Sequence, residues 1–164
     1  MILYIVRHGI AVDRADPKCP PDPERPLTAR GVQKTRSAAL GLNALGARPD
    51  VLITSPYVRA AQTAEIFAEA LGFSPGKVRI SESLKPGGNP AEVIKEIARL
   101  RAREVMCFGH APHLDQMISH LSGARGVFTS LKKGGVACFE HTPALGRWEL
   151  RWIMAPKVLR KLAD

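Results

Sequence analysis

The chain has 164 residues, of which 45% are hydrophobic, and a formal net charge of +9 at pH 7. A chain of this size buries roughly 70% of its unfolded surface on folding, so we expect one domain over residues 1–164. No apolar run approaches the ~20 residues that a bilayer span needs, which predicts a soluble protein. The positive charge favours an acidic partner: nucleic acid, an anionic membrane, a phosphorylated substrate or an acidic protein.

Two features predict a cytoplasmic location. Arg7 and His8 interrupt the apolar start MILYIV before a signal-peptide core is complete. Cys19, Cys107 and Cys138 form an odd set without paired spacing, as expected in a reducing compartment.

The amino-terminal half alternates apolar runs with helical patterns. ILYIV (2–6) is typical of a buried strand, and 16–26 holds five prolines and is a loop. Helices are predicted over 28–46, capped by Thr28, and over 56–72, with strand 50–55 between them. The core-facing residues expected from helical spacing are Val32, Ala39, Leu42 and Leu45, then Ala60, Ala64, Phe67 and Leu71.

The second half continues the alternation and ends in two strand-like segments. Asn89, Pro90 and Glu92 give a strong helix start signal. The predicted elements are a weak strand at 77–80, helix 89–100, strand 104–110, helix 112–123 and an antiparallel pair at 135–141 and 147–155. This order predicts an α/β fold: a three-layer α/β/α sandwich with a mainly parallel sheet and an antiparallel edge.

Polar residues follow three of the predicted strands. Arg7 and His8 end the first, Ser55 ends the second shortly before Arg59, and His110 ends the fourth. Ligands of open α/β sheets bind beyond the carboxyl ends of the strands. We therefore expect two arginines and two histidines to converge on one anion.

Phosphoryl transfer suits this set of side chains. Arginine forks can bind the phosphoryl oxygens, and a neutral imidazole nitrogen can attack phosphorus. One histidine would be the neutral nucleophile, and the other would be held cationic by the bound phosphate.

The motifs VRHG, SPYVRAAQTA and GHAPHL, in this order, resemble the histidine phosphatase superfamily, which has the phosphoglycerate mutase-like fold. The short chain, RPLTARG (25–31) and ESLKPGGNP (82–90) are similar to its SixA-type branch, the phosphohistidine phosphatases. The resemblance implies that His8 is the phosphorylated nucleophile and that Gly9 helps to orient it. It further implies that Arg7 and Arg59 bind phosphate and that His110 is the second pocket histidine.

Several residues keep two interpretations. Glu82 is the best positional match to the family's leaving-group acid, but a solvated loop carboxylate fits it equally well, and a departing imidazole needs little acid help. Arg59 could instead pair with an acid, and His110 could cap a helix. Ser55 ends a strand and could touch phosphate. The turn at 132–135, which carries two lysines, is either an anion-binding turn or a solvated basic loop.

The resemblance implies a phosphatase that hydrolyses phosphohistidine on a signalling or phosphotransfer protein through a covalent intermediate on His8. A small phosphomonoester is the second choice of substrate. A non-catalytic phosphate or nucleic-acid binder is the rival, disfavoured because the nine aromatic residues form no stacking pattern.

Cys107, His110 and His113 have a metal-like spacing but lack further ligands. We expect no metal, no organic cofactor, and no nucleic-acid or membrane partner.

Overall fold

The computed structural model describes residues 1–74 and 76–163. Six strands in this part of the chain form one sheet in the order β3-β2-β4-β1-β5-β6. The first four in this order are parallel, and β5 and β6 form an antiparallel edge. The strands are β1 (Ile2–Arg7), β2 (Val51–Thr54), β3 (Arg79–Ile80), β4 (Glu104–Gly109), β5 (Val136–Thr142) and β6 (Arg147–Met154).

Helices cover both faces of the sheet. The helices are α1 (Ala29–Ala44), α2 (Val58–Ala70), α3 (Pro90–Arg99), α4 (His113–Leu121) and α5 (Pro156–Lys161). One buried cluster joins the sheet to α3 and α4, and a second joins it to α1, α2 and α5. Leu3 and Ile5 enter the first cluster, whereas Tyr4 and Val6 enter the second. The predicted three-layer sandwich is therefore confirmed. In the described ranges, every helix is too short or too polar to cross a membrane.

The predicted helix caps agree with the structure, whereas the predicted buried faces of the helices agree only in part. Thr28 accepts a hydrogen bond from Gly31 N, and Asn89 accepts one from Ala91 N. Val32 and Leu45, which we expected in the core, are exposed. The prediction was wrong there because α1 packs through a stripe of small residues one position away, which includes Thr35 and Ala38. In α2, Ala60, Ala64 and Phe67 are buried as predicted, and Leu71 is partly buried.

The register of the parallel strands aligns their carboxyl ends. Arg7 lies beside Gly109, and Thr54 lies beside Phe108. The pairing continues past the strands, since His8 N donates to Gly109 O (3.0 Å) and Ser55 N donates to Phe108 O (3.0 Å). The three motifs therefore meet at one edge of the sheet.

The carboxyl-terminal helix packs against α1 through a very close backbone approach. A Cβ on Gly41 would lie 1.8 Å from the carbonyl oxygen of Leu159, whose side chain is fully buried. Glycine is therefore required at this position for α5 to pack where it does.

We expect Gly41→Ala to destabilise the protein by about 1–3 kcal/mol, because the added methyl group must push α5 away from α1. Denaturant unfolding measures this change. Gly126→Ala is the matched control, since nothing lies within 4 Å of its Cβ. Equal stability of the two variants would contradict this packing.

Candidate active site

A cavity of about 580 Å³ opens at the edge where the motifs meet. Arg7, His8, Arg59 and His110 all line it, so the structure brings together the four residues predicted to surround an anion. Arg14 and Arg25, which the sequence analysis did not place there, also line it. So does Lys133, from the turn for which anion binding was one of two interpretations. The cavity is strongly basic and suits a phosphoryl group.

His8 is buried with its ring in a defined tautomer. Nδ1 lies 2.7 Å from the carbonyl oxygen of Gly9, so it carries the proton and donates it. Nε2 accepts a hydrogen bond from Nε of Arg59 at 3.3 Å. Burial, helped by the positive charges of Arg59 and Arg7, lowers the pKa of His8 to about 3. The imidazole is therefore neutral at physiological pH, with its lone pair on Nε2.

Arg59 projects from the first turn of α2 and is only 2% exposed. Its Nη1 donates to the carbonyl oxygen of Asp22 (2.6 Å), and its Nη2 donates to the Asp22 carboxylate (3.2 Å). Burial lowers the pKa of Arg59, and the negative charge of Asp22 opposes this. Arg59 therefore pairs with an acidic residue and also lines the cavity, so its two interpretations are compatible.

Asp22 was missed because it lies in the proline-rich loop, far from the motifs in sequence. Its carboxylate also pairs with Arg14 (3.0 Å) and Arg25 (3.2 Å). One loop carboxylate therefore gathers three arginines at the cavity. The sequence offered one indication of this role: Asp22 is an acidic residue close to arginines in a loop whose prolines restrict the backbone.

His110 is buried beside His8, with ring centroids 5.1 Å apart. Its Nε2 lies 2.8 Å from Oγ of Ser55, which accepts a hydrogen bond from Tyr57 N. The Ser55 hydroxyl donates to Nε2 when the neutral ring carries its proton on Nδ1, and it accepts from Nε2 when the ring carries its proton there. Nδ1 of His110 is buried without a hydrogen-bond partner. Ser55 thus contacts His110 and does not itself line the cavity.

The charge of His110 depends on what occupies the cavity. Burial lowers the pKa of His110 to about 2, followed by the charge that His8 carries when it is protonated and by the charge of Arg59. The ring is therefore neutral in this structure. The cationic form that we expected requires the negative charge of a bound phosphoryl group to raise this pKa.

Arg7 is positioned by a loop that a buried carboxylate holds. Its Nη1 donates to the carbonyl oxygen of Leu131 (2.7 Å). The carboxylate of Asp115, in the first turn of α4, accepts from Leu131 N and from the Thr129 hydroxyl, both at 2.8 Å. Nε of Arg7 is buried without a partner. Asp115 was also missed, and its only signal was an acid on the apolar face of a helix.

Gly9 is required by close packing on its Cβ side. A Cβ there would lie 2.3 Å from Oγ1 of Thr35. Its N–H donates to Oγ1 of Thr63 (3.0 Å), whose hydroxyl donates to the carbonyl oxygen of Arg59 (2.7 Å). Thr63 therefore links the first motif to the helix that carries Arg59.

The structure does not bring Glu82 to the cavity. It lies in a short 3-10 turn (Glu82–Leu84), where its side chain is 70% exposed and pairs with Lys85. Its distance along the chain matched the family pattern, but the turn directs its carboxylate to solvent.

Of the two lysines at 132–135, Lys133 lines the cavity although it is exposed, and Gly134 N donates to the carbonyl oxygens of Arg7 and His8. In the described residues, no group of three or more His, Cys, Asp or Glu side chains could hold a metal ion.

The model of the histidine phosphatase superfamily (branch 1) matches residues 3–85. The chain belongs to this superfamily. An uncharacterized protein from a Picosynechococcus strain is 38% identical over 83% of this chain and 82% of its own length. The phosphohistidine phosphatase SixA of Escherichia coli is 26% identical over 95% of this chain and 94% of its own length. These findings support phosphatase activity.

Solved structures confirm the fold. A protein histidine phosphatase SixA complexed with tungstate superposes with a TM-score of 0.81 at 25% identity, over 97% of this chain and 99% of that one. A phosphoserine phosphatase mutant from Entamoeba histolytica in complex with phosphoserine gives a TM-score of 0.74 at 16% identity, over 95% and 98%. The phosphoglycerate mutase-like fold is thus shared by enzymes with different substrates.

We expect ¹⁵N NMR to show His8 as the neutral tautomer protonated on Nδ1 throughout pH 5–8, because its pKa of about 3 lies below this range. The unfolded chain protonates its histidines below about pH 6.5. The free energy of unfolding should therefore decrease as the pH falls from 6.5 to 5, by at most about 1.4 kcal/mol per pH unit for each buried neutral histidine. A cationic His8 at pH 6 would contradict this account.

We expect Asp115→Ala to weaken tungstate binding about tenfold, since the loop that holds Arg7 loses both of its hydrogen bonds to the carboxylate. Isothermal titration calorimetry measures the affinity. Glu92→Ala, which removes an exposed carboxylate from α3, is the control. Unchanged affinity in Asp115→Ala would show that this carboxylate does not position Arg7.

Proposed function

We propose that the protein hydrolyses phosphohistidine on another protein, with His8 as the nucleophile. The observation that carries this proposal is the neutral imidazole of His8, whose Nε2 lone pair faces Arg59 inside a cavity also lined by Arg7 and His110. A buried neutral nitrogen beside guanidinium groups is suited to attack a dianionic phosphoryl group.

The reaction follows in two steps. Nε2 of His8 attacks phosphorus, the P–N bond to the substrate imidazole breaks, and that imidazole takes up a proton from solvent as it leaves. A water molecule then attacks phosphorus, the P–Nε2 bond breaks, the water loses its proton to solvent, and inorganic phosphate departs. Before the first step, Nε of Arg59 must transfer its hydrogen bond from His8 to a phosphoryl oxygen.

The other cavity residues have assigned roles in this proposal. Nε of Arg7 and Nδ1 of His110 are buried without partners. Nε carries a proton in the guanidinium group, and Nδ1 carries one in the cationic form of the ring, so each can then donate to a phosphoryl oxygen. Gly9 positions His8, and Ser55 holds the ring of His110 through a 2.8 Å contact to Nε2. We assign Glu82 no part in the reaction, because it lies outside the cavity and an imidazole leaving group needs little acid help.

The proposed partner is a histidine-phosphorylated domain of a signalling or phosphotransfer protein. The phosphohistidine phosphatase SixA of E. coli and the solved SixA structure support this choice. We further propose that residues 1–164 act as one domain in the cytoplasm. The three free cysteines fit a reducing compartment.

A small phosphomonoester is the second candidate substrate, and one observation favours it. Asp13 also lines the cavity, and a carboxyl side chain is the type of group that assists the departure of an alkoxide. Asp13→Asn separates the two candidates, because it should slow the hydrolysis of an alkyl phosphate without slowing that of phosphohistidine.

We expect His8→Ala to reduce kcat/KM for phosphohistidine by about 10³-fold or more, since it removes the nucleophile. Phosphate release from chemically phosphorylated histidine measures the rate. His120→Ala, which alters an exposed histidine of α4, is the matched control and should keep the wild-type rate. Equal rates for the two variants would contradict the proposal.

A further inference from the structure

A second hollow of about 270 Å³ adjoins the candidate active site. It shares Ile10 and Lys133 with the larger cavity. Its ionisable lining residues are Lys34, Lys133, Lys157 and Arg160, which we call the basic hollow. Within residues 1–74 and 76–163, no carboxylate lines it. An anion bound there would lie directly beside a phosphoryl group in the main cavity.

The packing of two helices builds the basic hollow. Neither α1 nor α5 contains an acidic residue. The close approach of Gly41 to Leu159 fixes α5 on α1 and so holds Lys34 near Arg160. Partial loss of hydration lowers the pKa of Lys34, and the charges of Arg30 and Arg160 lower it further. Like charges held together in this way repel one another, and an acidic ligand would relieve that repulsion.

The cations of the basic hollow differ from another cation of α1 in having no carboxylate partner. Arg36, also in α1, forms a bidentate ion pair with Glu69 at 2.9 Å for each contact. The cations of the basic hollow form no ion pair with the described residues. They remain available to a partner.

We propose that the basic hollow binds acidic side chains that flank the phosphohistidine of the substrate protein. The inference rests on the proposed function and names the chemistry of the surface that the enzyme recognises. The lining residues of the hollow include no aromatic side chain among those described, so it lacks the stacking platform that single-stranded nucleic acids use. Lysine ammonium groups at the mouth of the active site suit carboxylates and accelerate encounter with an acidic protein.

Three synthetic peptides of equal length test the proposal. Each contains one histidine, phosphorylated chemically with phosphoramidate, flanked by Glu, Gln or Lys residues. We expect the wild-type kcat/KM to be about tenfold higher for the Glu peptide than for the Gln peptide at 50 mM NaCl, and lowest for the Lys peptide. The preference should shrink at 0.5 M NaCl, where exposed charges are screened within a few ångströms.

Charge reversal locates the preference. K34E/K157E should reduce the Glu-to-Gln ratio to below twofold, whereas hydrolysis of free phosphohistidine should change less than threefold. The control R99E/R101E reverses two exposed charges near the carboxyl end of α3 and should keep the wild-type ratio. An unchanged ratio in K34E/K157E, or an equal loss in the control, would overturn the proposal.

A binding measurement separates this inference from the proposed function. Fluorescence anisotropy with the unphosphorylated Glu peptide does not depend on turnover. Binding that is lost in K34E/K157E, in a protein that fails to hydrolyse phosphohistidine, would support the hollow and contradict the proposed reaction. Hydrolysis of phosphohistidine by a protein that does not bind the Glu peptide would support the proposed reaction and contradict the role of the hollow. Binding of a 20-nucleotide DNA that is lost in K34E/K157E, with no preference among the peptides, would overturn the inference in favour of nucleic acid.

Discussion

The site depends on the burial of a guanidinium group against an imidazole. Arg59 is almost fully buried and donates Nε–H to Nε2 of His8 at 3.3 Å. A protonated His8 would place two positive charges and two N–H donors against each other in a desolvated space, so the imidazole is kept neutral. The carbonyl of Gly9 accepts the remaining ring proton, and the carboxylate of Asp22 balances Arg59. Burial thus sets the protonation state that the proposed chemistry needs.

Each group at the cavity is held by a partner outside the reacting centre. Ser55 contacts the ring of His110, Thr63 ties Gly9 to the helix of Arg59, and the loop fixed by Asp115 binds Arg7. These partners come from α2 and α4 and from the segment that ends β2. The sheet register that aligns the strand ends therefore sets the geometry of the site as well as its location.

The positions of Arg7, His8, Arg59 and His110 could be predicted because the ends of parallel strands coincide whatever the intervening loops do. Asp22 could not be predicted, since a loop must fold back over the sheet edge to bring it to Arg59. For Glu82 the sequence left two interpretations open: its place along the chain matched the family's leaving-group acid, and a solvated loop carboxylate fitted equally well. A short turn directs its side chain to solvent, which agrees with the second interpretation. In α1, small residues such as Gly31 and Gly41 let the helix approach the segment after β1 and α5 closely, which simple hydrophobic spacing did not anticipate.

The central claim is that the phosphoryl group passes through a covalent bond to His8. The most direct measurement is rapid quenching at alkaline pH during a single turnover, with mass spectrometry to locate the phosphoryl group. We predict a phosphorylated protein that forms before inorganic phosphate is released, with the group on His8 and with the acid lability and alkali stability of a phosphoramidate. Release of phosphate at the full rate, with no phosphorylated protein at any time, would contradict the claim.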